Sequence, residues 1–355
     1  MPLPWKRPLA LVAVLGAVAT TGGCVESGRT VHPDAVQAAA ECPVEPDPSI
    51  TTTARIAWQA IPNGDLAVKD LRMLETCMPN AEITWSKFDS GGDVVQAFGA
   101  GSVDLGLVGS SPAVRAVSPP LDIDLRVVWL QDVIGAAESL VVRDESITSI
   151  QGLDGKKVAV PFGSTAHYSL LSALREAGID GTVQLINLSP DKMLPAWQRG
   201  EVDAAWVWDP TLSQLQSSGS VILTSADTAK AGYPTFDMSA ATAEFLEQNP
   251  GFMLMWTTAQ DAAARRLADG EATAIESLAV QLGLPPDVVR KQTQGLEYLD
   301  ARQQAGPDYF GGALGGVLED TAGFLVDARE TEGTAPPETY QRMPYPYAIE
   351  EVAAR

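Results

Sequence analysis

Two stretches about a hundred residues apart share a pattern that restricts the fold more than any other feature of the chain. The first runs Ala97-Phe98-Gly99-Ala100-Gly101-Ser102-Val103-Asp104-Leu105-Gly106-Leu107-Val108 and continues Gly109-Ser110-Ser111-Pro112. The second runs Ala196-Trp197-Gln198-Arg199-Gly200-Glu201-Val202-Asp203-Ala204-Ala205-Trp206-Val207 and continues Trp208-Asp209-Pro210. Each reads as a helix stopped at glycine, a turn at Val-Asp, a buried strand, and a helix restarting at proline. Two lobes of like topology produce such an echo; a chance likeness between two α/β units is the alternative.

The surrounding segments alternate in the same way. Arg55 to Gln59 reads as a strand, with a turn at Pro62-Asn63-Gly64 and a helix from Asp65 to Cys77. Strands follow at Glu82–Phe88, Arg126–Leu130, Ser139–Val142 and Val183–Leu188, and helices begin after Ser90 or Asp93 and after Ser189. Between them, Val158-Ala159-Val160 hands over through Pro161-Phe162-Gly163-Ser164-Thr165 to a helix ending at Ala177. Helical patterns dominate 244–281, 285–294 and 313–328, and residues 330–355 form a polar, aromatic-bearing tail with no assigned place. The fold class is therefore α/β, with a largely parallel sheet and binding loops beyond the carboxyl ends of its strands.

The N-terminus stands apart. Lys6-Arg7 precedes an apolar run from Leu9 to Ala19, a signal peptide over 1–23. Thr21-Gly22-Gly23-Cys24 resembles a bacterial lipobox, although Thr21 stands where Leu is preferred; lipidation at Cys24 and soluble secretion are both compatible with it. Residues 24–53, interrupted by Pro43, Pro46 and Pro48, read as a tether. Cys42 and Cys77 then remain, most simply as a disulfide in an oxidising compartment, or as two independently buried thiols. With 355 residues, a formal charge of −21 and no Lys/Arg cluster, the chain has no face suited to nucleic acid.

No dinucleotide, P-loop or nucleophile-elbow motif is present. His32 and His167 are too few for a multi-histidine metal site, and His167 beside Ser164 and Ser169 lacks any visible orienting group for catalysis. The loops do offer neutral donors, Ser110, Ser111, Ser164 and Thr165, at predicted helix starts where an anion is favoured. They also offer the acids Glu138, Asp209 and Asp237 for a cation, and Trp208 at a strand end, where it can stack on ligand or pack in the core. His167 reads as a packing or pocket-wall residue.

Lys87-Phe88-Asp89-Ser90-Gly91, Gly109-Ser110-Ser111-Pro112, the string from Val160 to Leu171, Ala196-Trp197-Gln198-Arg199-Gly200 and Val207-Trp208-Asp209-Pro210 together resemble the taurine-binding proteins of bacterial ABC importers. The resemblance spans about Arg55 to Leu325 and sits within a wider superfamily of sulfonate, nitrate and bicarbonate binders. It implies a type II periplasmic-binding fold with two crossover hinge strands near Val142-Arg143-Asp144 and Asp237–Ala241. Lobe 1 would comprise 54–142 and 240–329, and lobe 2 143–239. It further implies Ser110, Ser111, Ser164 and Thr165 near a sulfonate, Glu138 and Asp237 near an amine, and Gln59 reaching ligand from the first strand; the added acid Asp209 leaves the amine's partner open. The implied partners are a small aminosulfonate, a permease and its ATPase, for a monomer held to the outer face of the membrane by lipid, with no cofactor, metal or enzymatic activity. Alternatives are the same fold holding a betaine or guanidino compound, a sensor lipoprotein serving a membrane kinase, and an enzyme like the pyrimidine-synthesising relatives, which need a cofactor-anchoring Lys or His and a Cys-rich segment; here the loops lack a Lys, and the secretion signal argues against it.

Overall fold

A computed structural model describes residues 42–355; Cys24, His32, the expected signal peptide and most of the expected tether lie outside the described residues. The strands are β1 (Thr53–Gln59), β2 (Glu82–Phe88), β3 (Leu105–Gly109), β4 (Leu125–Ile134), β5 (Glu138–Val142), β6 (Lys157–Val160), β7 (Gln184–Asn187), β8 (Ala204–Trp208), β9 (Ser220–Thr224), β10 (Phe236–Thr242) and β11 (Leu296–Glu297). They form a six-stranded sheet, β11-β4-β10-β3-β1-β2, and a five-stranded sheet, β7-β6-β8-β5-β9.

Read from the outer parallel strand inward, the two orders match: β2-β1-β3-β10-β4 and β7-β6-β8-β5-β9. The first three strands of each are parallel, and the fourth runs antiparallel to both neighbours. The sequence echo is thus a repeat of topology, and its Val-Asp turn has a physical cause. The Asp104 carboxylate accepts the backbone N–H of Arg55 at 2.9 Å, and the Asp203 carboxylate accepts that of Lys157 at 2.9 Å. In each lobe the same carboxylate ties the start of the third strand in this order to the start of the second, β3 to β1 and β8 to β6. Gly101 and Gly200 end the preceding helices at φ 63° and 73°, a conformation glycine adopts without a Cβ penalty. The middle strands β3, β5 and β8 are buried along their whole length, as expected of strands covered by helices on both faces.

Each sheet carries its own hydrophobic core. The chain passes from the first sheet to the second between Ile134 and Glu138, earlier than the crossover expected near Val142, because β5 belongs to the second sheet. It returns between Thr224 and Phe236, and β10 lies wholly in the first sheet. Two other expectations need correction. The last part of the tether is fixed: a Cys42–Cys77 disulfide holds it, the Asp47 N–H donates to the Cys77 carbonyl at 2.8 Å, and Thr52 Oγ1 donates to Asn249 Oδ1 at 2.8 Å. The 330–355 tail is part of the first lobe, with Tyr340, Met343 and Ile349 buried and the Val127 N–H donating to the Met343 carbonyl at 2.7 Å.

Candidate functional site

The site lies between the lobes, where strand registers bring distant residues together. On the first sheet Asp237 stands opposite both Gly109 and Asp132; on the second, Glu138 stands opposite Trp208. Because β10 and β5 hold equivalent places in the two sheets, Asp237 and Glu138 enter the cleft from matching positions. The cleft is narrow and is lined by Gln59, Ile61, Gly91, Gly109, Pro112, Glu138, Ser164, Thr165, Trp208 and Asp237.

Three helix N-termini converge on the cleft. Helices Gly91–Gly99, Ser110–Val117 and Thr165–Glu176 all start there, the first two from lobe 1 and the third from lobe 2. The first backbone N–H groups of a helix have no partner within it, and the helix dipole adds partial positive charge at that end. Close approach of the three depends on glycine. A Cβ on Gly91 would lie 2.7 Å from Pro112 Cγ, and one on Gly109 would lie 2.6 Å from Thr165 Cγ2.

The hydroxyls are already committed within the protein. Ser110 Oγ accepts the Phe236 N–H at 3.3 Å, and Ser111 Oγ donates across the lobes to the Ser164 carbonyl at 3.2 Å. Ser164 Oγ donates to the Pro161 carbonyl at 2.7 Å and caps its helix by accepting the His167 N–H. Thr165 Oγ1 donates to Glu138 Oε1 at 2.5 Å. Ser110 and Ser111 therefore hold the cradle's shape from outside the lining, and the free donors are backbone amides. Gln59 is fixed by its Nε2 donating to the Leu107 carbonyl at 3.1 Å.

Beside these helix starts lie buried carboxyls, with Asp237 opposite Gly109 and Glu138 in contact with Thr165. Glu138 also accepts from Ser225 Oγ at 3.4 Å, and burial, then the nearby Asp237, push its carboxyl up to about 8. Burial pushes Asp237 up to about 7. Behind it, Asp132 is fully buried with no hydrogen-bond partner on either carboxyl oxygen, and burial followed by Asp237 and Glu138 raises it well above the usual carboxylate range. Among the described residues, no group of His, Cys, Asp and Glu side chains is placed to hold a metal ion.

Two expected site residues are elsewhere. Asp209 turns away from the cleft lining: its Oδ1 accepts from the Ser213 N–H at 3.0 Å and the Ser213 hydroxyl at 2.5 Å, at the start of the helix Thr211–Gln216. His167 stacks on Phe162 at 4.5 Å, and its Nδ1 accepts the Gly163 N–H at 3.2 Å. Burial and the nearby Arg115 push its pKa down to about 4, so its 3.5 Å approach to Glu330 is a contact of a neutral ring. Residues missed from sequence are Ile61, Gly91, Gly109, Pro112 and Asp132. A Gly-Gly pair directly after a strand end signalled Gly91; Asp132 was hidden because β4 runs four residues beyond its expected end at Leu130.

The lobes also meet outside the cleft. Phe324, on helix Ala313–Asp327 of lobe 1, packs edge-on against Tyr168 at 4.9 Å and Tyr233 at 5.5 Å, while Arg175 lies over the Phe324 ring at 5.5 Å.

This geometry has counterparts. Residues 84–266 match the family described as NMT1/THI5 like. The chain belongs to that family. It is 36% identical over 262 residues to the taurine-binding periplasmic protein of Escherichia coli K12, covering 72% of this chain and 80% of that protein. The periplasmic aliphatic sulphonate binding protein of Escherichia coli superposes with a TM-score of 0.66 at 27% identity, covering 82% of this chain and 97% of the other. The alkanesulfonate-binding protein of Xanthomonas axonopodis pv. citri, solved with MOPS bound, gives a TM-score of 0.66 at 23% identity over 87% of this chain and 98% of that one, a likeness of fold. The fold is the two-lobed one of periplasmic solute-binding proteins, and these relatives are binding proteins, not enzymes.

Proposed function

We propose that this protein is the extracytoplasmic solute-binding component of an ABC importer, capturing taurine or a closely related small aminosulfonate between its lobes and delivering it to a permease and its ATPase. It is a binding protein without catalytic chemistry, in keeping with its relatives. The observation that carries the reading is the meeting within one cleft of three helix N-termini and two carboxyls. A sulfonate spreads one charge over three oxygens, so amide donors at helix starts satisfy it without a buried arginine. An ammonium taken out of water requires a carboxylate partner, which Glu138 and Asp237 supply. Trp208, opposite Glu138, also lines the cleft.

Taurine has about seven heavy atoms, so at the ceiling of about −1.5 kcal/mol per atom its binding reaches about −10 kcal/mol. Micromolar affinity needs about −8 kcal/mol. Most of the ligand must therefore be contacted, which suits a small cleft closed from both sides. In this reading the protein acts as a monomer, and acylation at Cys24 holds it to the outer face of the membrane. Calorimetry on the purified protein is the test: taurine should give a saturable heat at micromolar concentration, and no heat with taurine or other short aminosulfonates at millimolar concentration would sink the reading.

A further inference from the structure

One group near the cleft has no part in the scheme above. Asp132 neither lines the cleft nor pairs with any other side chain, yet it is 0% exposed and both its oxygens lack partners. It stands directly across the β4–β10 ladder from Asp237, and residues so opposed present their side chains to the same face. The charged and titratable groups that bear on it are Asp237 from β10, Glu138 from β5 and the Tyr298 hydroxyl, which donates to the Pro62 carbonyl at 2.5 Å. Among the described residues no basic side chain pairs with any of the three carboxyls.

Three carboxyls that share a dry site with no cation cannot all ionise, because like charges in a poorly screened interior disfavour one another. A single incoming ammonium offsets the one negative charge added when Glu138 and Asp237 are both ionised, and leaves nothing to offset ionisation of Asp132. From this arrangement we infer that ligand capture is coupled to release of a proton from the Glu138–Asp237 pair, while Asp132 keeps its own proton in both states. The balance is simple. In this inference the pair carries one proton in the empty site; the ammonium arrives carrying its own, and the pair's proton leaves to solvent. Raised carboxyl pKa values on Glu138 and Asp237 are in accord with that occupancy. The inference rests on the aminosulfonate reading for its ligand, but the protonation of Asp132 does not.

The experiment has two arms. In the first, taurine is titrated into the purified protein at about pH 7.5 in buffers of low and high ionisation enthalpy. Release of between about half and one proton per taurine is expected. Asp132→Asn, neutral and of the same shape, should keep that release and keep Kd within about tenfold; Asp237→Asn should lose the release. No release from the unaltered protein, or loss of release in Asp132→Asn, would overturn the coupling as drawn. In the second arm, the infrared spectrum of ligand-free protein is taken at about pH 9, above the range in which Glu138 and Asp237 ionise. A carboxylic-acid carbonyl band that disappears in Asp132→Asn supports the retained proton, and absence of the band overturns it. Should taurine give no heat at all, the ligand reading falls, while this second arm still decides the state of Asp132.

Discussion

At the end of β3 the chain reads Gly109-Ser110-Ser111, and at the matching end of β8 it reads Trp208-Asp209-Pro210. The two strands hold the same place in sheets of the same order, and each leads into a helix. In lobe 1 the helix start is bare: Gly109 caps Ser110–Val117 without a side-chain bond, and the amides face the cleft. In lobe 2 the Asp209 carboxylate sits at the helix start and accepts from Ser213. A carboxylate there spends the helix dipole on itself and repels an outside anion. Repeated topology therefore yields two helix N-termini of which only one can serve a ligand, and the choice is made by single residues at equivalent positions.

The comparison can be broken most severely by making lobe 1 resemble lobe 2. Ser110→Asp places a carboxylate at the cradle and should abolish taurine binding, since like charges brought together at a desolvated contact cost several kcal/mol. Ser110→Asn, without the charge, should retain binding within about tenfold. Calorimetry on the pair separates charge from shape; equal affinity in the two variants would break the comparison.

A smaller effect is expected at the cleft carboxyls. Asp237→Asn removes the charge that pairs with the ligand ammonium and should weaken taurine binding by about 1.5–3 kcal/mol. Unchanged affinity would shift the pairing to Glu138 alone.

The same acids should give ligand-free protein a pH signature. Burial raises Glu138, Asp237 and Asp65 to about 8, 7 and 7, so between their unfolded and folded values the folded state holds more protons. Stability from this source is present at low pH and is lost as pH rises towards about 8. His167, pushed down to about 4, acts with the opposite sign but only below its ordinary value of 6.5. The melting temperature should therefore fall between about pH 6.5 and 8, and fall less in Asp237→Asn. A rise over that window would contradict the burial of these carboxyls.

The mildest change is the converse swap. Asp209→Ser removes the charge at the lobe 2 helix start while leaving a hydroxyl that caps comparably, so stability should change by less than about 1 kcal/mol, with taurine affinity unchanged. Weakened binding would show that Asp209 reaches the ligand after all.

Much of this arrangement was legible in the chain because it rests on local rules. The echo around Asp104 and Asp203 identified two like lobes since the same carboxylate-to-strand tie is needed in each. Glu138, Ser164, Thr165, Trp208 and Asp237 stood out as strand ends or helix starts; the resemblance to taurine-binding proteins added Gln59 and paired the acids with an amine, and these six residues line the cleft. What depended on sheet membership was not legible. Glu138–Val142 is an apolar run that fits either lobe, so the crossover was set too late. Asp132 acquires meaning only through its register with Asp237, a neighbour more than a hundred residues away. Asp209 and Asp237 look alike in sequence as acids near strand ends, and only the turn that follows sends one carboxylate to Ser213 and leaves the other in the cleft. Tyr340 and Met343 gave no periodic signal, because short helices after prolines build that part of the core.

The central claim is a site that recognises both charges of its ligand, and competition between whole and half ligands tests it most directly. Calorimetry should show taurine binding at micromolar concentration. Ethanesulfonate, which lacks the amine, and ethylamine, which lacks the sulfonate, should each bind weaker by at least about a hundredfold, in line with loss of one charge-assisted set of contacts. Ethanesulfonate binding as tightly as taurine would contradict the pairing of the amine with Glu138 and Asp237.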